Sequence, residues 1–312
     1  MVFQIIILVV GLFCLYAGAE WLVGGSVRLA CRYNVSPLVI GLTIVAFGTS
    51  APELLVSLFA SGGEAPGLSI GNVIGSNVIN IALVLGLSIL LNPMSLHRKA
   101  ITPELMFMVG SSLLLWFLCL DGTIRRVDGL ILAGCLALYL AYRFVHATSH
   151  DYDLDDYACA NGSLINIAYI MGGTVILCAG AHLVVESAVA LAVFFGLSNT
   201  FIGLSIVAFG TSLPELAASM VAARKMENDI AIGNVVGSNI FNACMVMGVV
   251  GLVSPIQVDK GLNYFEFPFM MCVSLLLLYL ALRVGRLSRR HGLLFLVLFI
   301  LYLIISWRLT GV

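Results

Sequence analysis

Glu53 and Glu215 each stand within an apolar run long enough to cross a bilayer, where a carboxylate costs about 3 kcal/mol unless a partner, water or a cation offsets it. Their surroundings repeat: AFGTSAPEL around the first, AFGTSLPEL around the second. On a helix, Thr49 and Glu53 share one face with Ser50 beside them, and Thr211, Ser212 and Glu215 repeat the arrangement. Pro52 and Pro214 lack an N–H, so each helix should bend just before its acid. That bend is expected to leave carbonyl oxygens around Ala46 to Thr49 available to a cation, because irregular backbone at membrane depth lines a cavity or is buried in protein. Further along, GNVIGSNVIN sets Asn72, Ser76 and Asn80 along one side of the next helix, with Asn77 close by, and GNVVGSNIFN does the same with Asn234, Ser238, Asn242 and Asn239. Every donor in this inventory is oxygen, which suits a hard cation such as Ca2+ or Na+ and not Zn2+ or Cu+. Two carboxylates balance one Ca2+, and neutral oxygens can complete the six to eight ligands that ion prefers. The same oxygens could hold Na+ ions instead, so the two occupants would compete.

The plainer reading of Gly, Ser and Asn in membrane helices is packing and interhelical hydrogen bonding. It is preferred for Asn72, Asn77, Asn234 and Asn239, and it does not suffice for a duplicated acid in a proline-broken segment. Gly71 and Gly75, like Gly233 and Gly237, form G-x-x-x-G seams that would let another helix approach closely. Glu20 and Glu186 have no acidic mates, and Glu104 and Glu266 lie near predicted helix starts; these four are read as lying outside the site.

The stretch 41–80 returns as 203–242 without a gap, more than half of its positions identical, and the offset extends to Pro93 with Pro255 and Met108 with Met270. With 61% hydrophobic and 10% charged residues, the chain reads as an all-α integral membrane protein. Apolar runs fall at 3–27, 36–61, 69–91, 102–120 and 127–146, then 164–195, 199–223, 229–252, 262–282 and 291–308. These are ten predicted transmembrane helices, five in residues 1–146 and five in 164–312, joined by an acidic linker at 147–163. An odd number per repeat makes the second half enter the membrane from the opposite face, so the expectation is two inverted-topology five-helix repeats. Such a pair has two mirror-like arrangements, which speaks for alternating exchange at a midplane site and against a channel.

Eleven Lys and Arg (Arg28, Arg32, Arg98, Lys99, Arg143, Arg224, Lys225, Arg283, Arg286, Arg289, Arg290) face one side and four (Arg125, Arg126, Lys260, Arg308) the other. The richer side should be cytoplasmic, placing the linker inside and both termini outside. The eight cysteines show no ligand spacing and are read as small buried apolar residues. Ala17-Gly18-Ala19 mimics a cleavage site, but Gly18-Ala19 reappears as Gly180-Ala181, so the segment is read as a retained helix. No basic stripe suggests nucleic acid, no protein partner is evident, and no H-E-x-x-H or similar constellation suggests an enzyme.

The paired strings AFGTSAPEL with GNVIGSNVIN, and AFGTSLPEL with GNVVGSNIFN, resemble the two α-repeats of the calcium/cation antiporter superfamily, most of all its sodium/calcium exchanger branch. The resemblance implies that Glu53 and Glu215 bridge Ca2+ together with the Thr49 and Thr211 carbonyls. It further implies Na+ sites at Ser50, Ser76 and the Ala46 carbonyl, and at Ser212, Ser238 and the Ala208 carbonyl, with Asn80 and Asn242 completing the centre. The implied activity is Na+/Ca2+ antiport across a prokaryotic plasma membrane, with Ca2+ and Na+ as transported substrates, the bilayer as surroundings and no resident cofactor. The segment G-T-S-x-P-E favours Na+ coupling, and Ca2+/H+ antiport is the alternative. Some relatives carry Asp where this chain has Asn242; its absence leaves two acids and makes K+ co-transport a weaker expectation.

Overall fold

A computed structural model describes residues 2–61, 67–145, 162–194 and 208–310. The helices are α1 (Val2–Tyr33), α2 (Pro37–Thr49), α3 (Ala51–Ser61), α4 (Ser69–Leu91), α5 (Arg98–Cys119) and α6 (Arg126–Val145) in the first half. In the second half they are α7 (Ser163–Phe194), α8 (Ala208–Thr211), α9 (Leu213–Arg224), α10 (Asn228–Val253), α11 (Lys260–Arg283) and α12 (Arg289–Thr310). Among the described residues, eight helices are long and apolar enough to cross a membrane, and α2 with α3 make a ninth if their bent pair counts as one span. The start of the predicted 199–223 helix lies outside the described residues, as does the acidic linker apart from its last two positions.

Local chemistry explains where these helices begin and end. Ser36 caps α2 by accepting the Val39 N–H at 3.2 Å, with Pro37 as the first helical residue. The helices α4 and α10 stop at Asn92 and Ser254, both extended, because each precedes a proline. α1 outruns its predicted end while α7 keeps to its predicted span within a residue, and each is 32 residues long. That is about 48 Å of helix against a hydrocarbon core of about 30 Å, so both must tilt.

α1 and α7 pack against each other through glycines. A Cβ on Gly18 would meet the Leu177 nitrogen at 2.5 Å and the Gly173 carbonyl at 2.8 Å, while one on Gly11 would meet the Gly180 carbonyl at 3.0 Å. One on Gly25 would meet the Asn166 carbonyl at 3.0 Å, so the contacts descend α7 as they climb α1, and the two helices are antiparallel. The Gly18-Ala19 and Gly180-Ala181 segments are therefore intact helix at a close backbone contact.

Two short antiparallel ribbons tie the halves together. β1 (Met94–Ser95) pairs with β4 (Arg286–Leu287), Met94 opposite Leu287, and β2 (Thr123–Ile124) pairs with β3 (Ile256–Gln257), Ile124 opposite Ile256. β1 and β2 flank α5, and β3 and β4 flank α11, so these repeat-equivalent helices also run antiparallel.

Burial is inverted relative to a water-soluble protein. α4 and α10, which carry the asparagine motifs, have 78% and 89% of their apolar windows buried, against 11% for α12. Large apolar side chains such as Phe13, Leu138, Phe144 and Leu164 point outward, while Glu53, Asn80, Glu215 and Asn242 are fully buried. A surface of that kind is stable only in contact with lipid.

The cysteines depart from their predicted uniformity. Cys119 and Cys244 are buried as expected, Cys272 is exposed on the apolar surface, and Cys31 is disulfide-bonded. Sequence spacing holds no trace of that cross-link.

Candidate cation site

The break before each acid is present. α2 and α3 meet at Ser50 with a bend of 43°, and Ser50 (φ −83°, ψ 4°) and Ser212 (φ −87°, ψ 6°) have nearly the same conformation. Pro52 has no N–H for the Gly48 carbonyl, which Cys178 Sγ approaches at 4.0 Å. The break does not itself free the Ala46 carbonyl, which accepts the Ser50 N–H at 2.9 Å and the Thr49 hydroxyl at 3.3 Å, because the helical ladder survives up to Ser50. In the second half the Ser212 N–H turns instead to the Phe209 carbonyl at 3.2 Å, and of Ala208 only the main chain is described.

The breaks place both acids in the first turn of a new helix, Glu53 on α3 and Glu215 on α9. There the helix dipole favours a negative charge. Ser50 donates to Glu215 Oε1 at 3.1 Å, across the halves. The Ser212 hydroxyl stands beside the Glu53 carboxylate without completing a well-formed hydrogen bond, and Glu215 is within electrostatic reach of Glu53. The two acids therefore face a common centre.

Asn72 and Asn234 hold that centre in matching ways. Asn234 donates to Ser219 Oγ at 2.9 Å and to the Glu215 carbonyl at 3.3 Å, while its Oδ1 accepts from Thr49 at 3.1 Å. Asn72 donates to Ser57 Oγ at 3.1 Å, and its Oδ1 accepts from Thr211 at 3.4 Å. Each amide fastens the helix of its own acid while receiving the threonine of the opposite half. Thr49 also lies 3.3 Å from Ser238 Oγ. Ser57 and Ser219 escaped the sequence reading although both occur at the repeat offset, one turn beyond each acid.

α4 and α10 each loosen into a π-helical turn, at Asn80–Leu85 and Asn242–Val246, and the asparagine is the first residue of each. Turns of this kind insert one extra residue and re-aim the side chains around them. A third such turn spans Gly41–Val45.

What remains is a set of buried side-chain oxygens without a hydrogen-bond partner among the described residues: both oxygens of Glu53, Glu215 Oε2, Asn80 Oδ1, Asn242 Oδ1, Ser76 Oγ and Ser212 Oγ. Orphaned buried groups cost about 1–3 kcal/mol each, more when charged. Nearly all of these can only accept or are flexible hydroxyls, and they come from both halves. A dehydrated cation would satisfy them together.

The other intramembrane acids lie elsewhere. Glu104 pairs with Arg143 at 3.0 Å and accepts from Tyr139, Glu266 accepts from Ser306 at 3.0 Å, and Glu20 pairs with Lys225 at 2.5 Å. Glu186 lies 3.8 Å from His182 with both side chains largely exposed. Glu104 is two turns into α5, so its partner is an arginine rather than the helix terminus expected for it.

A family model described as sodium/calcium exchanger protein matches residues 3–145 and 165–308. The chain belongs to the sodium/calcium exchanger family. It is 30% identical to the sodium/calcium exchanger MaX1 of Methanosarcina acetivorans, over 96% of this chain and 97% of that one. It is 34% identical to the inner membrane protein YrbG of Escherichia coli, over 89% of this chain and 88% of that one. The fold superposes on a structure of the sodium-calcium exchanger NCX_Mj soaked with Na+ and Ca2+, with a TM-score of 0.86 and 33% identity over 97% of this chain and 98% of that one. Membership of this family makes the protein a multi-pass membrane transporter that exchanges cations.

Proposed function

We propose that this exchanger moves Ca2+ against Na+ by alternating access to the site between Glu53 and Glu215. The observation that carries the reading is the cluster of orphaned buried oxygens drawn from both halves around two carboxylates. Ca2+ would take the Glu53 and Glu215 carboxylates with the Thr49 and Thr211 carbonyls and the Asn80 and Asn242 amide oxygens. Na+ would take Ser50, Ser76 and the Ala46 carbonyl on one flank, the Thr49 hydroxyl giving up its bond to that carbonyl, and Ser212, Ser238 and the Ala208 carbonyl on the other. Charge balance supports competition, since one Ca2+ or two Na+ each neutralise two carboxylates in a dry interior. NCX_Mj, by its name and soaking conditions a sodium-calcium exchanger, supports the same pair of ions.

Ten helices in two inverted five-helix repeats are the architecture we assign, divided at 1–146 and 164–312. The antiparallel course of α1 against α7 and of α5 against α11 supports the inversion. An inverted pair can exchange the conformations of its halves and so open the centre to either side in turn.

The coupling ion is read from uptake. Proteoliposomes loaded with Na+ are expected to accumulate radioactive Ca2+, and K+-loaded ones are expected not to, with an imposed pH gradient making little difference. Uptake that follows the pH gradient and ignores Na+ would instead establish Ca2+/H+ exchange.

We place the protein in a prokaryotic plasma membrane with both termini extracytoplasmic, on the strength of the Lys and Arg bias. Cys31 lies at the same end of α1 as Arg28 and Arg32 and is disulfide-bonded, a state usual outside the cytosol, so charge and sulfur chemistry point opposite ways for this face. A reporter fused after Val312 is expected to read extracytoplasmic; a cytoplasmic signal reverses the orientation.

A further inference from the structure

The amides of Asn80 and Asn242 lie fully buried at the centre, and each could turn either an oxygen or an NH2 toward it. Their orientation decides whether the site attracts or repels a cation. Two chains of hydrogen bonds settle it. Asn239 Nδ2 donates to the main-chain carbonyl of Asn77 at 3.3 Å, and a carbonyl can only accept, so the Asn239 amide has one possible direction. Its Oδ1 is then left to accept from Asn80 Nδ2 at 3.1 Å, which leaves Asn80 Oδ1 unpartnered at the centre. In the second chain Asn77 Nδ2 donates to the Met270 thioether at 3.7 Å, again a group without a proton to give. Asn77 Oδ1 therefore accepts from Asn242 Nδ2 at 3.2 Å, and Asn242 Oδ1 is left unpartnered.

We infer that Asn77 and Asn239 are positioning residues for ion selection: anchored on acceptors that cannot donate, they force the Asn242 and Asn80 amides to present oxygen to the cation. This rests on the cation-site reading and extends it to two residues whose preferred role from sequence was packing alone. The relays cross between the halves, since Asn77 orients Asn242 and Asn239 orients Asn80. All four asparagines and Met270 are buried, so water has little access to substitute for a missing partner. A carboxylate at either central position has no donor end and would not need its relay.

Crossed double-mutant cycles test this in the full-length protein, with Ca2+ alone as the probe in equilibrium binding. Asn77→Leu is expected to weaken Ca2+ binding about tenfold, about 1.4 kcal/mol. In the Asn242→Asp background the same substitution should cost about twofold or less, while in the Asn80→Asp background the tenfold loss should persist. Asn239→Leu should show the reverse pairing. Met270→Leu, which keeps volume, removes the anchor without touching an asparagine and should lower affinity in the native background but not beside Asn242→Asp. It serves as the second route should Asn77→Leu fail to fold, as judged by melting without ions.

Losses that are equal in all backgrounds, or no loss in folded Asn77→Leu and Met270→Leu, would overturn the relay and leave the cation site standing. A wild-type protein that binds no Ca2+, or a Glu53→Gln variant that binds it as well as wild type, would overturn the cation site and the relay with it.

Discussion

Glu53→Gln and Glu215→Gln should each abolish exchange while leaving the protein folded, and in ion-free buffer the variants should melt at or above the wild-type temperature. The two effects have one cause. Among the described residues neither Glu53 oxygen has a hydrogen-bond partner and Glu215 has one, from Ser50, so in the absence of ions both charges are buried at a cost. Glutamine removes the charge at nearly constant volume and keeps an oxygen for Ser50. With Ca2+ present the balance reverses, because one remaining carboxylate leaves a divalent ion half neutralised. Removing one partner of a buried charge pair costs about 3–5 kcal/mol, which is a loss of about two to three and a half decades in affinity. Ca2+ should therefore raise the melting temperature of the wild type and not of either variant. Near-normal ⁴⁵Ca2+ uptake by either variant would remove that glutamate from the site.

Gly237→Ala is expected to have the next largest effect, although it adds a single methyl group. A Cβ there would lie 2.6 Å from the Leu42 carbonyl oxygen, 2.7 Å from Ala46 Cβ and 2.8 Å from Leu42 Cα. Two of these are backbone atoms, so α10 and α2 must part. Overpacking of this kind costs about 1–3 kcal/mol in stability. It also strikes the site directly, because Gly237 lies between Asn234 and Ser238, whose contacts with Thr49 at 3.1 and 3.3 Å need the helices in close approach. Both the melting temperature and Ca2+ uptake should fall; wild-type values for both would show that the seam has room. Gly71 and Gly75, the repeat mates of Gly233 and Gly237, have no backbone atom that close among the described residues. The segment equivalent to the close-packed 38–45 lies outside them.

Much of this molecule could be read before any coordinates. The membrane setting, the two repeats and the paired acids follow from composition and spacing, because a bilayer admits few architectures and penalises an unneeded charge heavily. The bend at Ser50 and its counterpart at Ser212 were also readable, since a proline removes its N–H wherever the chain goes. That the Ala46 carbonyl keeps its helical partner was not readable, because it depends on how far the ladder persists before the break, and it persists to Ser50.

A one-dimensional pattern names the groups available to a cation, since residue type sets charge and donor capacity. It is silent on which of those groups are already spent on each other. Ser57 and Ser219 hold the amides of Asn72 and Asn234, and Asn77 and Asn239 hold those of Asn242 and Asn80. The latter bonds join residues from opposite halves, and their direction depends on a thioether and a carbonyl that only packing brings within reach. Residue chemistry therefore determined that this chain carries a hard-cation donor set around two acids, whereas the folded arrangement selected which of those oxygens are left unspent, because hydrogen-bond partners are consumed in space and not along the chain.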